Sequence, residues 1–261
     1  HMDTLIACAC SEGLWGLENL SGIPVCVGGA VVQNIGAYGV ELKDALVSVR
    51  VYDTVDDCFI DIPAEQCDFG YRWSIFKRPE LAGRYIVAEA MFRLSTVPAP
   101  RLGYGALRAA VEKIVGEGTV TPSAIRQAVM EMRDSKLPDP AVVGSAGSFF
   151  KNPVMSSEQY QQVVDTARTL WGEDTEVPHF LLPDGMVKVP AAWFIDRCGW
   201  KGRTEGGAAV WQKQPLVLVN ATGLASADDI LRLRDRIIDD IENKFGVRLH
   251  PEVAIVGECK Q

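Results

Sequence analysis

The residues best suited to chemistry fall in three short segments rich in glycine, aromatic side chains or polar groups. The first is Gln33-Asn34-Ile35-Gly36-Ala37-Tyr38-Gly39. Small residues at these positions let backbone N–H groups approach a flat or anionic ligand closely. The alternative interpretation is a glycine-rich turn between two strands. Neither GxGxxG nor a GxxxxGKS/T pattern occurs, which excludes a Rossmann or P-loop site.

The second segment, 69–77, places Arg72 and Lys77 among four aromatic residues. Two cations in such surroundings can hold a carboxylate or a phosphate, and Arg72 can do so with two parallel hydrogen bonds. The alternative is an aromatic cluster covered by the aliphatic stems of the two cations. Both interpretations remain open on the sequence of this segment.

The third segment, 144–153, contains Ser148 between a glycine and two phenylalanines. It does not match GxSxG, and the chain has three histidines in total, which argues against a Ser-His-Asp triad and a multi-histidine metal site. A serine without a partner base is better suited to donate a proton or a hydrogen bond than to act as a nucleophile. The alternative is a serine that caps a turn.

Two isolated residues add to these segments. Glu252 lies in an otherwise apolar stretch, 248–257, that we predict to be the last strand. Its carboxylate either lies at an exposed strand end or has a function. Tyr104, between two glycines, either belongs to a mobile flap or lies in a simple turn.

Strands and helices in mixed order predict an α+β fold. We expect the first hundred residues to consist of strand and loop, because glycines interrupt 25–39 and residues alternate in polarity in 46–52. Capping residues predict helices that begin at Pro122, after Ser156 and after Ser226. Further elements are a short helix over 190–198 and strands over 84–94, 208–211 and 216–220.

Composition limits the class of protein. The 261 residues carry 26 basic and 34 acidic side chains, a net charge of −8, which argues against a dedicated binder of nucleic acid or anionic membranes. No apolar run approaches the ~18 residues of a membrane span. Seven cysteines without a CxxC pair predict mostly buried thiols in a reducing, cytoplasmic compartment.

The chemically suggestive segments, taken in order, resemble the MurB family of UDP-N-acetylenolpyruvoylglucosamine reductases. Tyr104 resembles the tyrosine flap of the type I enzymes. The resemblance rests on the following segments: Ile23-Pro24, 33–42, 69–77, 136–140, 147–153 and 251–253.

This resemblance implies the second lobe of a vanillyl-alcohol-oxidase-type FAD-binding fold and a MurB C-terminal substrate-binding α+β domain. We expect the FAD lobe over 3–137, completed by 248–261, and the substrate domain over 138–247. The family begins with a further lobe that has no counterpart here, and His1-Met2 resembles the scar of a cleaved tag. We therefore expect weak FAD retention and a monomer, with a dimer through the face left by that lobe as the alternative.

The resemblance also implies a reaction. FAD takes hydride from NADPH and passes it to the enolpyruvyl double bond of UDP-N-acetylglucosamine enolpyruvate, which yields UDP-N-acetylmuramate for peptidoglycan. Arg72 matches the arginine that stabilises the enolate. Glu252 matches a glutamate that must carry its proton to assist. Ser148 matches the serine that protonates C2.

Further roles follow from the same resemblance. Phe180 stands where relatives stack a tyrosine on uracil. The alternative function is a sugar-nucleotide-binding fragment that neither holds FAD nor turns over. Residues implied to contact the flavin are Gln33, Asn34, Gly36, Ala37, Tyr38 and Gly39, and those implied to contact the substrate are Tyr104, Lys136, Asn152, Lys188 and Gln214.

Overall fold

Residues 1–257 are described by a computed structural model, in which the chain separates into two units, 1–135 and 136–261. Each unit mixes helices with antiparallel strands, in agreement with the predicted α+β class. In the described part of the chain, no helix is both long and apolar enough to cross a bilayer.

The first unit is built on a three-stranded antiparallel sheet of order β4-β3-β5. The central strand β3 buries Val49 and Val51 on one face, at the two-residue spacing of a strand. A two-residue-per-strand hairpin, β1-β2, lies between α2 and the sheet in sequence. The elements are α1 (Met2–Ser11), α2 (Val27–Gln33), β1 (Gly36–Ala37), β2 (Val40–Glu41), β3 (Leu46–Asp53), β4 (Cys58–Pro63), β5 (Tyr85–Phe92), α3 (Leu107–Val115) and α4 (Pro122–Lys136).

Helices α1 and α2 contradict the prediction of strand and loop over the first hundred residues, and α3 begins only after the turn that contains Tyr104. Helix α1 buries Met2, Ile6 and Cys10, which are four residues apart and therefore share a face. Helix α3 buries Leu107 and Val111 at the same spacing. Short helices of this kind are stabilised by packing of one apolar stripe, and such a stripe is a weak signal in ten residues.

The second unit pairs a four-stranded antiparallel sheet of order β10-β11-β12-β6 with three helices and a small sheet of order β7-β9-β8. The predicted helices after Ser156 and Ser226 are confirmed as α5 and α7, and each begins with a capping box; the predicted strands over 208–211 and 216–220 are confirmed as the paired strands β11 and β12. The elements are β6 (Gly144–Ser148), β7 (Val154–Met155), α5 (Ser157–Trp171), β8 (Phe180–Leu181), β9 (Val187–Lys188), α6 (Ala191–Arg197), β10 (Thr204–Glu205), β11 (Ala208–Val210), β12 (Val217–Asn220) and α7 (Ala227–Phe245).

The predicted strand over 248–257 is wrong. Within the described residues, this segment makes a single β-bridge, between Pro251 and Phe150. Backbone hydrogen bonds join Lys151 N–H to the His250 carbonyl (2.9 Å) and Glu252 N–H to the Phe149 carbonyl (2.8 Å). Pro251 has no N–H to donate, so pairing is limited to these flanking bonds. Glu252 therefore lies just beyond a bridge rather than inside a strand.

The prediction of mostly buried thiols is also wrong. Cys8, Cys26 and Cys58 are exposed, and Cys259 lies outside the described residues. Burial raises the pKa of Cys10 and Cys67 to about 11. The exposed thiols lie where short helices and the sheet edge leave one face in solvent, which cysteine composition cannot reveal.

An ion pair between the buried Asp53 and the partly exposed Arg84 connects the end of β3 to the loop before β5. Asp53 is 1% exposed and accepts two hydrogen bonds from Arg84 Nε and one from Arg84 Nη2, at 2.8–3.1 Å. Asp53 also accepts from the backbone N–H of Val55 at 3.0 Å. The guanidinium hydrogen bonds hold the pKa of Asp53 at about 2.

This ion pair predicts a defined acid sensitivity. The folded pKa of Asp53 lies below the unfolded value of about 3.9, so its contribution to stability is complete above about pH 4 and is lost as pH falls toward 2. We expect Asp53→Asn to remove this part of the pH dependence of the urea-unfolding midpoint. Asp61→Asn, at an exposed position on β4, is the matched control. Parallel pH profiles for wild type and Asp53→Asn would contradict the prediction.

Candidate functional site

Residues 33–41 form a tight hairpin directly after α2. Helix α2 ends at Gln33 and is capped by Asn34, whose φ of 43° is left-handed, and β1 pairs with β2 through Ala37 and Val40. The two residues between them, Tyr38 and Gly39, both have positive φ (48° and 79°), as a type I′ turn requires. The segment is therefore a glycine-containing turn between strands. A bulky residue at positive φ is strained, and such strain clusters at functional sites.

The Asn34 side chain has a structural role in this hairpin. It is fully buried and donates to Glu41 Oε2 (3.0 Å) and to the Gly70 carbonyl (2.9 Å). Its Oδ1 accepts from the Lys43 N–H at 3.1 Å. Asn34 thus ties the hairpin to the turn that carries Arg72, and the assignment of Asn34 to the cofactor remains a prediction.

The structure brings Arg72 against the hairpin. Arg72 lies in a two-residue turn closed by mutual backbone hydrogen bonds between Gly70 and Trp73, with a φ of 55°. Its Nη2 donates to the Gly36 carbonyl at 2.7 Å, and its guanidinium lies 5.3 Å from the ring centroid of Tyr71. A planar cation is therefore held beside the backbone of the predicted flavin segment.

Lys77 links the same turn to the end of α2 by hydrogen bonds. Its Nζ donates to the Arg72 carbonyl at 3.1 Å and to Gln33 Oε1 at 2.6 Å. Ser74 is fully buried and its hydroxyl donates to the Val32 carbonyl at 2.7 Å. These bonds anchor 70–77 onto the C-terminal end of α2, so two of the three chemically suggestive segments form one surface.

Gly36 gives a testable requirement of this arrangement. A Cβ at Gly36 would lie 3.0 Å from Arg72 Nη1 and 3.1 Å from the Val40 carbonyl oxygen. Because the backbone oxygen cannot yield easily, we expect Gly36→Ala to displace the guanidinium and to lower turnover by about 10²-fold, the usual cost of a misplacement near 1 Å.

Gly70→Ala is the matched control for this prediction, because its added Cβ would meet only Trp73, at an ordinary 3.5 Å. Steady-state kinetics of both variants check the result. Equal activity of the two variants would mean that the space at Gly36 does not position Arg72.

Tyr104 lies over the turn of the hairpin. Its ring packs edge-to-face on Tyr38, with centroids 5.9 Å apart and planes at 83°, and 46% of the residue is exposed. Burial raises the pKa of Tyr38 above its usual value. The structure thus brings the predicted flap tyrosine to the predicted flavin segment, both within the first unit.

Sequence reasoning missed Asn19. This residue is 1% exposed, and its Nδ2 donates to the carbonyls of Tyr38 and Arg101, both at 2.9 Å. The available signal was a pair of polar residues, Glu18-Asn19, between two leucines, because polar groups in an apolar run need buried partners.

In the second unit, Ser148 lies at the end of β6. It is exposed and pairs with Val217 of β12, while Phe149 and Phe150, which follow it, are buried in the core. Gly147 before it has a φ of 75°. Two buried rings therefore anchor the chain immediately after an accessible hydroxyl.

Glu252 lies close to this strand end. Its N–H donates to the carbonyl of Phe149, the residue after Ser148. Asn152, three residues further along, accepts the Ala191 N–H on its Oδ1 at 2.9 Å, at the start of α6. The structure thus brings the predicted proton donor and the predicted carboxyl onto adjacent backbone.

The remaining predicted substrate residues form two groups within the second unit. Lys188 and Phe180 are cross-strand partners, with Nζ 5.7 Å from the ring centroid, a cation–π contact. Lys136 accepts Trp211 Nε1–H on its carbonyl at 2.9 Å. Gln214 lies in the turn after Trp211, where its Oε1 accepts from the Leu216 N–H at 3.3 Å.

The donor set of the first unit fits a flavin. The 36–39 turn offers small residues and backbone polar groups beside a guanidinium, which suits a flat ring with carbonyl oxygens. The described residues contain no cluster of His, Cys, Asp and Glu that could hold a metal ion.

Comparison with protein families gives two matches. The model of an FAD binding domain matches residues 6–57, and that of the C-terminal domain of UDP-N-acetylenolpyruvoylglucosamine reductase matches residues 139–256. The two matches cover different parts of the chain, one on each unit.

Curated relatives and a solved structure agree with these matches. A UDP-N-acetylenolpyruvoylglucosamine reductase from Paraburkholderia phymatum is 44% identical over 93% of this chain and 68% of its own length. One from Neisseria gonorrhoeae is 47% identical over 92% of this chain and 67% of its own length. The crystal structure of the Thermus caldophilus enzyme (MurB) aligns with a TM-score of 0.60 at 27% identity, over 96% of this chain and 68% of that chain.

Proposed function

Because the chain belongs to the UDP-N-acetylenolpyruvoylglucosamine reductase family of oxidoreductases, we propose that it reduces UDP-N-acetylglucosamine enolpyruvate to UDP-N-acetylmuramate with NADPH as the reductant. FAD binds within 3–137 and 248–261, and the substrate binds to 138–247. FAD held there would supply the chemistry of hydride transfer from NADPH to the enolpyruvyl group. The observation that carries the proposal is the Arg72 guanidinium, held 2.7 Å from the Gly36 carbonyl in the flavin segment.

Arg72 stabilises the charge that develops in the reaction. Hydride addition at C3 leaves negative charge spread over C2 and the substrate carboxylate as an enolate. A guanidinium presents five donors in a rigid plane, and the Gly36 carbonyl together with the Tyr71 ring fixes that plane. A fixed cation stabilises the enolate without reorganising as the charge forms.

Ser148 and Glu252 complete the addition. The Ser148 hydroxyl donates its proton to C2, and the Glu252 side chain assists the same step. A backbone hydrogen bond from Glu252 N–H to the carbonyl of Phe149, the residue after Ser148, joins the two segments. This link supports a joint role for Ser148 and Glu252.

The nucleotide end of the substrate contacts a separate set of side chains. Phe180 stacks on uracil. Lys188, whose Nζ lies 5.7 Å from the centroid of the Phe180 ring, neutralises the diphosphate. Tyr104 contacts the sugar nucleotide. Lys136, Asn152 and Gln214 supply the remaining polar contacts.

The experiment is NADPH oxidation by the purified chain with added FAD. We expect oxidation that depends on UDP-N-acetylglucosamine enolpyruvate, with UDP-N-acetylmuramate formed in equal amount, as measured by mass spectrometry. The flavin absorbance of the purified chain reports FAD retention. Calorimetric binding of the substrate without turnover would favour a sugar-nucleotide-binding protein, and neither binding nor turnover would contradict the proposal.

A further inference from the structure

The side-chain amide of Asn19 uses both of its N–H groups inside the first unit. They donate to the Tyr38 and Arg101 carbonyls, both at 2.9 Å, and the residue is 1% exposed. Within residues 1–257, its Oδ1 is buried without a hydrogen-bond partner. A buried acceptor without a partner is destabilising. The presence of an amide at position 19 is therefore explained by its two donated hydrogen bonds and not by a net gain in stability.

The two acceptors belong to segments far apart in the chain. Tyr38 is 19 residues from Asn19 and lies in the strained turn of the hairpin, with a φ of 48°. Arg101 is 82 residues away and begins the loop that leads to Tyr104. The Arg101 side chain also pairs with Asp44 Oδ2 at 2.6 Å, just after the hairpin. One buried amide therefore links the hairpin to the loop.

The same two segments also meet through an aromatic contact. The rings of Tyr38 and Tyr104 pack at 5.9 Å, and a Cβ at Gly39 would lie 3.7 Å from Tyr104 Cβ. We propose that Asn19 is a positioning residue that holds the Tyr104 loop against the 36–41 hairpin. Its effect on substrate affinity rests on the proposed function, whereas its effect on the loop does not.

Limited trypsin digestion tests the positioning of the loop. Cleavage after Arg101 requires local opening, because the Arg101 carbonyl is bonded and the next residue, Leu102, is buried. Asn19→Asp replaces the donor by an acceptor at nearly equal volume, and Asn19→Ala is the milder variant. We expect both to accelerate this cleavage by about tenfold or more relative to cleavage after Lys213 in the other unit, since two hydrogen bonds are lost.

Ser21→Ala is the matched control. The Ser21 hydroxyl is equally buried and donates to the Glu18 carbonyl at 2.6 Å, within the same local turn. We expect an unchanged cleavage ratio in this variant. An unchanged ratio in both Asn19 variants, or an equal increase in Ser21→Ala, would overturn the proposal.

A double-mutant cycle tests whether Asn19 acts through Tyr104. By calorimetry with UDP-N-acetylglucosamine, we expect Asn19→Ala and Tyr104→Ala each to weaken binding, and the double variant to bind no more weakly than Tyr104→Ala alone. Multiplicative losses would show that Asn19 does not act through the tyrosine. If the wild-type chain binds no UDP-N-acetylglucosamine, the proposed function fails, and the digestion still decides the role of Asn19.

Discussion

Replacing Ser148 by alanine is expected to slow reduction of the enolpyruvyl double bond by about 10²- to 10⁴-fold, the range that a general acid contributes. Reduction of the flavin by NADPH should be unchanged, because that half-reaction needs no proton at C2. Ser148 is exposed at the end of β6 and is not part of the core, so its removal leaves the fold intact. Rapid mixing of NADPH with the oxidised enzyme measures the rate of flavin reduction. Rapid mixing of substrate with the reduced enzyme measures the rate of substrate reduction.

Ser145→Ala is the matched control, because Ser145 lies on the same strand and its Oγ accepts the Gly147 N–H at 3.3 Å. This variant should retain both half-reactions. If Ser148→Ala slows both half-reactions equally, Ser148 contributes to flavin binding or to the fold and is not the proton donor.

Replacing Arg72 by methionine is expected to lower the rate of substrate reduction by about 10²- to 10³-fold, as for loss of an oxyanion donor. Methionine keeps an unbranched stem and removes the cation that the Gly36 carbonyl and the Tyr71 ring hold in place. Arg72→Lys should recover only part of the rate, because an ammonium cannot form two parallel hydrogen bonds to a carboxylate.

Arg78→Met provides the control for charge alone. Arg78 pairs with Asp68 at 2.8 Å in the same loop and is partly exposed. We expect it to retain most of the activity. Substrate affinity, measured beside the rate of the hydride step, decides the role of Arg72, since a loss confined to affinity would make Arg72 a binding residue only.

Local features could be predicted wherever a few neighbouring residues decide the structure. The ends of α7 follow from Ser226, Asp229 and Gly246, because a capping box and a left-handed glycine act within one turn. The strand over 46–52 follows from alternation along β3. The sequence motifs likewise identified the family, which the matches on both halves of the chain confirm.

Features that depend on distant partners could not be predicted in this way. The segment 248–257, which we predicted to be a strand, forms one β-bridge, between Pro251 and Phe150. Its pairing requires a partner about a hundred residues away and is limited because Pro251 has no N–H to donate. Helix α1 escaped detection because its apolar stripe becomes stabilising only against a core contributed by the rest of the unit.

The sequence by itself determined which side chains are available for chemistry: a guanidinium at 72, a hydroxyl at 148 and a carboxyl at 252. Only the tertiary structure decided how they are held. Arg72 is oriented by a carbonyl 36 residues away, and the Tyr104 loop is held by the Asn19 amide 82 residues before Arg101. Hydrogen bonds of this kind join groups that are far apart along the chain, and no local sequence pattern marks the two partners. They form only once the chain has folded.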